Sequence, residues 1–363
     1  MTGAVRYCLI GCGGDIAEEH LSALSQLDVE LHAMADLDAA SGSAVAQEYG
    51  ARFFQDYREM LAEMSPDVAV IATPHPSHAE IAIECMQAGA HVLVEKPMAI
   101  EVADADAMIE TAARTKRLLG VCFQFRFRPA IEEAHRLVSE GTLGRLLRVS
   151  CREAMLRTTA YYRSATWRGT WAGEGGGVLL NQAPHALDLL CYLAGAPARV
   201  CGWTRNLMHD IEVEDTALAL IGFASGAVGE LIVTTADPAP LRIELVGERG
   251  RLEVRELELE VEVWEPDLAT YVATSAEFFD PPESRRRSIA LPPGEGDHLD
   301  VHRDFLAAVR EGRPPRASGR DALLSLELAN AIILSGSDGG SPLDLPIDRS
   351  RYAGLLAGRR AGR

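Results

Sequence analysis

Residues 68–97 read VAVIATPHPSHAEIAIECMQAGAHVLVEKP, and this stretch decides the fold. Two short apolar runs, residues 68–74 and 91–97, are each too short for a helix, and they flank a segment of helical period. That pattern predicts a strand, a crossover helix and a second strand, parallel to the first. Each strand ends in polar residues with a proline at or just after them. In an open parallel sheet, ligands sit outside the carboxyl ends of the strands. Thr73, Pro74, His78, Glu95, Lys96 and Pro97 are therefore expected to look into one crevice.

Lys96 stands out within this unit. The chain has 33 arginines and only two lysines, Lys96 and Lys116, so arginine serves wherever a plain surface cation would do. Arginine cannot release its proton near neutral pH, whereas a partly buried ammonium can have its pKa lowered. The competing reading of Lys96 is a strand-end cation paired with Glu95.

The length of 363 residues predicts two domains. A net charge of −18 argues against nucleic acid or an anionic membrane as the main partner. No apolar run approaches the roughly 20 residues of a membrane span, and no basic-then-apolar leader opens the chain, so it reads as cytoplasmic. The seven cysteines lack metal spacing and several lie in apolar runs, so they read as reduced core residues.

Outward from the opening unit, Val5–Ile10 is a buried strand running into Gly11-Cys12-Gly13-Gly14-Asp15-Ile16, then a helix. A glycine turn between strand and helix lets backbone amides approach a pyrophosphate. The glycine register departs from the usual fingerprint, and an expanded turn is expected. Val29–Ala35 is the second strand and ends at Asp36, placed to bind the ribose hydroxyls of NAD. Leu37 follows where an arginine would greet a 2′-phosphate, which favours NAD while leaving NADP possible. Asp36, or Asp38 beside it, can instead cap the helix over residues 39–49. A short strand near 51–54, helices near 57–63 and 102–115, and a strand at 119–123 complete a doubly wound Rossmann-type parallel sheet over 1–123.

Residues 124–129 read as a hinge into a second domain, 124–345, with 346–363 as a loose tail. A helix follows at 130–139 and a strand at 146–153. Residues 156–177 form a long loop rich in aromatics, with Gly175-Gly176-Gly177 near its end; such loops are usually functional or mobile. A helix starts at Pro184, and Asn181, His185 and Asp188 share one of its faces if it begins early enough. Six strand-like runs between 198 and 264 predict a large, mostly antiparallel sheet, covered on one face by helices near 130, 185, 300 and 325. The other face, with Leu218 and Ile232, is a candidate interface for a homodimer or homotetramer. Residues 266–295, with Arg285-Arg286-Arg287, read as an irregular loop and a solvated turn. His298 and His302 read as an exposed pair at a helix start, with no third metal ligand at suitable spacing and hence no metal.

These residues resemble the glucose-fructose oxidoreductase / inositol dehydrogenase (Gfo/Idh/MocA) family of two-domain NAD(P)-dependent enzymes, over nearly the whole chain. The resemblance is carried by the glycine turn, Asp36, Thr73-Pro74 with His78, and Glu95-Lys96-Pro97. It continues through Arg126-Phe127-Arg128-Pro129, Trp167-Arg168, Gly175-Gly176-Gly177, His185 with Asp188, Gly312-Arg313-Pro314-Pro315 and Ser318-Gly319-Arg320-Asp321-Ala322. It implies hydride transfer between nicotinamide C4 and a secondary carbinol of a sugar or cyclitol. Lys96 would contact the reacting hydroxyl and His185 would exchange its proton. Asn181 stands where some members carry an aspartate that pairs with the histidine; Asp188 is a possible substitute orienter. The resemblance assigns cofactor contacts to Gly11, Gly13, Gly14, Asp15, Ile16, Asp36, Thr73, Pro74, His78, Glu95, Lys96, Arg126, Trp167 and Arg168. Substrate contacts fall to Lys96, Arg126, Tyr161, Trp167, Gln182 and His185. A glycoside-cleaving enzyme with tightly held NAD, or a non-catalytic cofactor-binding regulator, are the competing readings.

Overall fold

The computed structural model describes residues 4–362 and divides into two compact units. The first comprises residues up to 124 together with 172–175 and 297–326; the second comprises 125–171, 176–296 and 327 onward. The expected sequential division is thus interrupted, because two later segments return to the first unit.

In chain order the first unit holds β1 (Val5–Ile10), α1 (Ala17–Ser25), β2 (Val29–Ala35), α2 (Ala39–Glu48), β3 (Arg52–Phe54), α3 (Tyr57–Met64), β4 (Val68–Ile71), α4 (His78–Gln87), β5 (His91–Val94), α5 (Val102–Thr115) and β6 (Leu119–Val121). Its sheet is six-stranded, in the order β3-β2-β1-β4-β5-β6, and every pairing is parallel. β4 is buried at every position, as a strand covered on both faces must be. Asp38 and Asp56 cap α2 and α3 through their carboxylates, each relieving unsatisfied amides of a first turn. Lys116, the second lysine, ends α5 in a left-handed C-cap.

The chain continues with α6 (Pro129–Ser139), β7 (Leu146–Ala154), α7 (Thr159–Arg163), α8 (Pro184–Ala194), β8 (Pro197–Arg205), β9 (Thr216–Phe223), β10 (Val228–Thr234), β11 (Ala239–Gly247), β12 (Gly250–Arg255), β13 (Glu258–Glu265), α9 (Leu268–Thr274) and β14 (Glu283–Ser288). These strands, with the later β15 (Leu343–Asp344), form a nine-stranded sheet in the order β14-β13-β12-β11-β7-β10-β9-β8-β15. Only β7 and β10 pair in parallel; the rest are antiparallel. β9 alternates buried and exposed positions, the mark of a sheet with one covered face, and its open face shows Leu218 and Leu220.

Three expectations are corrected here. Residues 266–295 are not wholly irregular: α9 is capped by Asp267, and the arginine triplet lies on the edge strand β14, every residue of it exposed. Cationic side chains on an edge strand discourage pairing with another chain, which explains arginine at that place. The C-terminal residues are not a loose tail. After α10 (His298–Glu311) and α11 (Gly319–Ser337), α12 (Arg349–Arg360) forms behind the Asp348 cap and buries Tyr352 and Leu356. Finally, α10, expected over the large sheet, belongs to the first unit. It packs with α1 in the first unit, where the Phe305 ring fills the space that a side chain at Gly120 would take.

Candidate active site

In the first unit, the sheet order reverses between β1 and β4, the place where a crevice opens beyond the strand ends. The glycine turn sits there, with six residues, 11–16, between β1 and α1, as the expanded register predicts. Gly11 has φ +90°, and a Cβ on it would lie 2.8 Å from the Ala72 carbonyl carbon, so only glycine fits. Gly13, Gly14 and Asp15 are exposed, Ile16 is half-buried, and a Cβ on Gly14 would meet nothing nearer than 3.8 Å. This open backbone suits the close approach of a pyrophosphate.

Asp36 and Asp38 divide the two tasks left open by the sequence. Asp38 caps α2, while Asp36 accepts from Gly13 N at 2.8 Å and from Asp38 N at 2.9 Å. Asp36 thus pins the glycine turn and keeps its carboxylate half-exposed at the end of β2, where a ribose would meet it. Leu37 beside it is 85% exposed and offers a 2′-phosphate no cation. These residues fit an NAD nucleotide.

Thr73 and Pro74 follow β4, and Lys96 follows β5 at the same edge of the sheet. His78 is fully buried, its Nδ1 2.8 Å from the Pro97 carbonyl and its Nε2 2.7 Å from the Thr73 carbonyl. It ties the two strand-end loops together. Glu95 likewise turns inward. Its Oε1 lies 2.9 Å from His298 Nε2 and 3.2 Å from His20 Nε2, and its Oε2 accepts from Lys96 N at 3.0 Å. His20 Nδ1 in turn lies 3.0 Å from His302 Nε2.

This cluster corrects the reading of His298 and His302 as an exposed pair. His298 is 6% exposed and His302 is fully buried. His20, Glu95 and His298 are the residues whose donor atoms converge closely enough to hold a metal ion, among the described residues. Burial pushes the Glu95 carboxyl up, but hydrogen bonds and charge from His20 and His298 outweigh it and hold it well below the usual range. Burial pulls His298 down, and its bond to Glu95 more than reverses this. Burial, with His20 and His298 nearby, keeps His302 neutral well below its ordinary pKa. The sequence hid this group because its members lie on α1, just after β5 and on α10, nearly three hundred residues apart at the extremes. The only signal was three histidines and a carboxylate near element ends, with no spacing to join them.

In the second unit, Arg126 is 2% exposed and bound bidentately to Asp188, Nε–Oδ2 2.7 Å and Nη2–Oδ1 2.6 Å. Its guanidinium also stacks on Tyr192. Asp188 is thus paired with Arg126. His185 is buried on the first turn of α8 and stacks on Phe125, ring centroids 4.2 Å apart. Asn181 precedes α8, and its Nδ2 donates to Tyr161 Oη at 3.3 Å. Gln182 Nε2 at 3.1 Å and Arg168 Nη1 at 2.6 Å reach the same phenol oxygen. The Arg168 guanidinium lies over both the Tyr161 and Trp167 rings. Tyr161, Trp167, Arg168, Asn181 and Gln182 therefore form one polar-aromatic group. The glycine loop beside it is fixed by Glu214, whose Oε1 accepts from Gly177 N and Leu179 N.

Comparison with known proteins bears on these two groups. Residues 5–123 match the model of the oxidoreductase family with an NAD-binding Rossmann fold, and residues 131–253 match the GFO/IDH/MocA C-terminal domain. The D-apiose dehydrogenase of Paraburkholderia graminis is 30% identical over 91% of this chain and 87% of its own length. The myo-inositol 2-dehydrogenase of Thermotoga maritima is 26% identical, covering 90% of this chain and 95% of that one. A WlbA dehydrogenase from Chromobacterium violaceum, solved in complex with NADH and UDP-GlcNAcA, superposes with a TM-score of 0.82 at 31% identity, covering 96% of this chain and 98% of that one. The chain belongs to the GFO/IDH/MocA oxidoreductase family and is an NAD-dependent dehydrogenase.

Proposed function

We propose that the protein transfers a hydride between NAD and a secondary carbinol of a sugar, sugar derivative or cyclitol. The observation that carries this reading is Lys96, half-exposed at the end of β5 while residues 92–95 and 97–100 around it are all buried. The relatives named for D-apiose and myo-inositol support the substrate class. When bound, the nicotinamide supplies the hydride acceptor at C4. Lys96 contacts the reacting oxygen and stabilises alkoxide character as the C–H bond breaks. His185 takes the hydroxyl proton during oxidation and returns it during reduction; an imidazole suits this because it titrates near neutral pH. Tyr161 and Trp167 offer aromatic faces to a sugar ring, and Gln182 and Asn181 order the Tyr161 hydroxyl. The half-exposed Leu218, Leu220 and Val228 on the open sheet face suit contact with a second copy of the chain.

A panel of aldoses, uronates, cyclitols and glycosides, scored by NADH absorbance, tests this reading. Net NADH formation with a free sugar or cyclitol is the expected result. Glycoside cleavage without net NADH would replace it with an oxidation–elimination mechanism, and no turnover of any carbinol would sink it.

A further inference from the structure

Glu95 is the least expected feature of the first unit. A carboxylate buried at a strand end is costly unless each oxygen is met by donors. Here Oε1 faces the Nε2 atoms of His298 and His20, and Oε2 accepts the Lys96 amide. Behind them His302 Nε2 meets His20 Nδ1, and the other His302 nitrogen has no hydrogen-bond partner among the described residues. One assignment of protons suits the set. His302 donates to His20 Nδ1, His298 presents Nε2–H to the carboxylate, His20 Nε2–H faces the same oxygen at 3.2 Å, and the lone His302 nitrogen is an acceptor, which costs less unmet than a donor. The neighbouring Cys122 thiol is pushed up by burial and by Glu95, so it stays protonated.

A simple apolar plug would fill this space more cheaply than three imidazoles. The chain instead fixes one carboxylate from one side and the Lys96 backbone from the other. Resting on the proposed role of Lys96, we propose that His298, backed by His20 and His302, is a positioning residue for the reaction: it locks the Glu95 carboxylate inward, and through it the Lys96 backbone from which the ammonium side chain extends.

The test uses His298→Leu, which removes the donor, and His298→Gln, which keeps an N–H donor. Two readouts are compared: kcat with the best carbinol of the panel, and acylation of Lys96 by acetic anhydride relative to Lys116, the internal standard. In the leucine variant kcat is expected to fall at least tenfold with KM and the NAD dissociation constant within about twofold. Lys96 acylation is expected to slow at least threefold, because the released carboxylate can pair with its own neighbour's ammonium. Glutamine is expected to restore kcat to within about threefold and the labelling ratio to that of the parent. Unchanged kcat and labelling in both variants would overturn the proposal, as would a glutamine variant no better than leucine. Stoichiometric zinc in the purified protein, lost on substitution of His298, would overturn it in favour of a metal centre. Should the leucine variant fail to fold, His298→Ala takes its place: labelling of Lys96 at least threefold slower in it, with a parent-like ratio in His298→Gln, supports the proposal, and any other pattern overturns it. Labelling needs no turnover, so a failed role for Lys96 in chemistry leaves this outcome separately readable.

Discussion

Asp188 grips Arg126 through two hydrogen bonds of 2.6 and 2.7 Å, with the two side chains 1% and 2% exposed. This pair joins the entry of the second unit to α8, the helix that carries His185. Removing one partner of such a pair strands a buried charge, at a cost of about 3–5 kcal/mol. Asp188→Ala is therefore expected to lower unfolding free energy by that order in urea titration. The double variant Asp188→Leu with Arg126→Met is expected to lose less than Asp188→Ala alone. A loss under about 1 kcal/mol for Asp188→Ala would show that the pair is not what fixes this end of the helix.

Lys96→Ala is expected to lower kcat by a factor on the order of 10² or more while NAD still binds. Lys96→Arg is expected to recover little, since a guanidinium keeps its proton and differs in shape. Steady-state rates and nucleotide titration by tryptophan fluorescence check both. Unaltered turnover in Lys96→Ala would refute the role.

Asp36→Ala removes both the half-exposed carboxylate at the end of β2, proposed to meet the ribose, and the acceptor that pins Gly13. Hydrogen bonds to a charged group are worth about 1.5–3 kcal/mol, so NAD affinity is expected to fall at least about tenfold. NADP affinity is expected to fall less, because the carboxylate repels its 2′-phosphate in the parent. Equal losses for both nucleotides would remove the structural reason for preferring NAD.

His302 is buried with its pKa held well below the ordinary value, chiefly by burial and then by His20 and His298. The unfolded chain takes up a proton there below about pH 6.5, whereas the folded chain does not. Stability from this group is thus present above that pH and lost as pH falls. His298, with its pKa raised, acts oppositely: its contribution is complete below about pH 6.5 and is lost as pH climbs through the raised value. His302→Gln is expected to flatten the decline of the melting temperature between about pH 6.5 and 4.5. A decline as steep as that of the parent would show that other groups govern acid unfolding.

Leu220 is 57% exposed on the open face of the large sheet and Val228 60%. Leu220→Glu is expected to shift sedimentation toward a smaller species without changing circular dichroism. An unchanged sedimentation coefficient would place any self-association elsewhere.

Much of the fold was legible in the sequence because its signals are local. Residues 68–74 and 91–97 were readable as strands from short apolar runs ending in proline, and β4 and β5 form over the apolar first half of each. The six strand-like runs between 198 and 264 disclosed the large, mostly antiparallel sheet in the same way. The errors share one cause. Glu283–Ser288 carries no apolar residue to mark it as a strand, and it pairs only because β13 offers an open edge. Arg349–Arg360 looked too polar to pack, yet two residues, Tyr352 and Leu356, suffice to anchor it.

By itself the sequence determined the parallel sheet, the glycine turn, the acidic residue after β2 and the lysine after β5, since each is written in a few consecutive residues. Only tertiary structure decided what the buried charges do. Arg126 turns to Asp188 instead of outward, Asp38 frees Asp36 from capping, and two histidines from two helices close on Glu95 with a third behind them. A buried charge takes whatever partner the fold brings within about 3 Å, and distance along the chain says nothing about that.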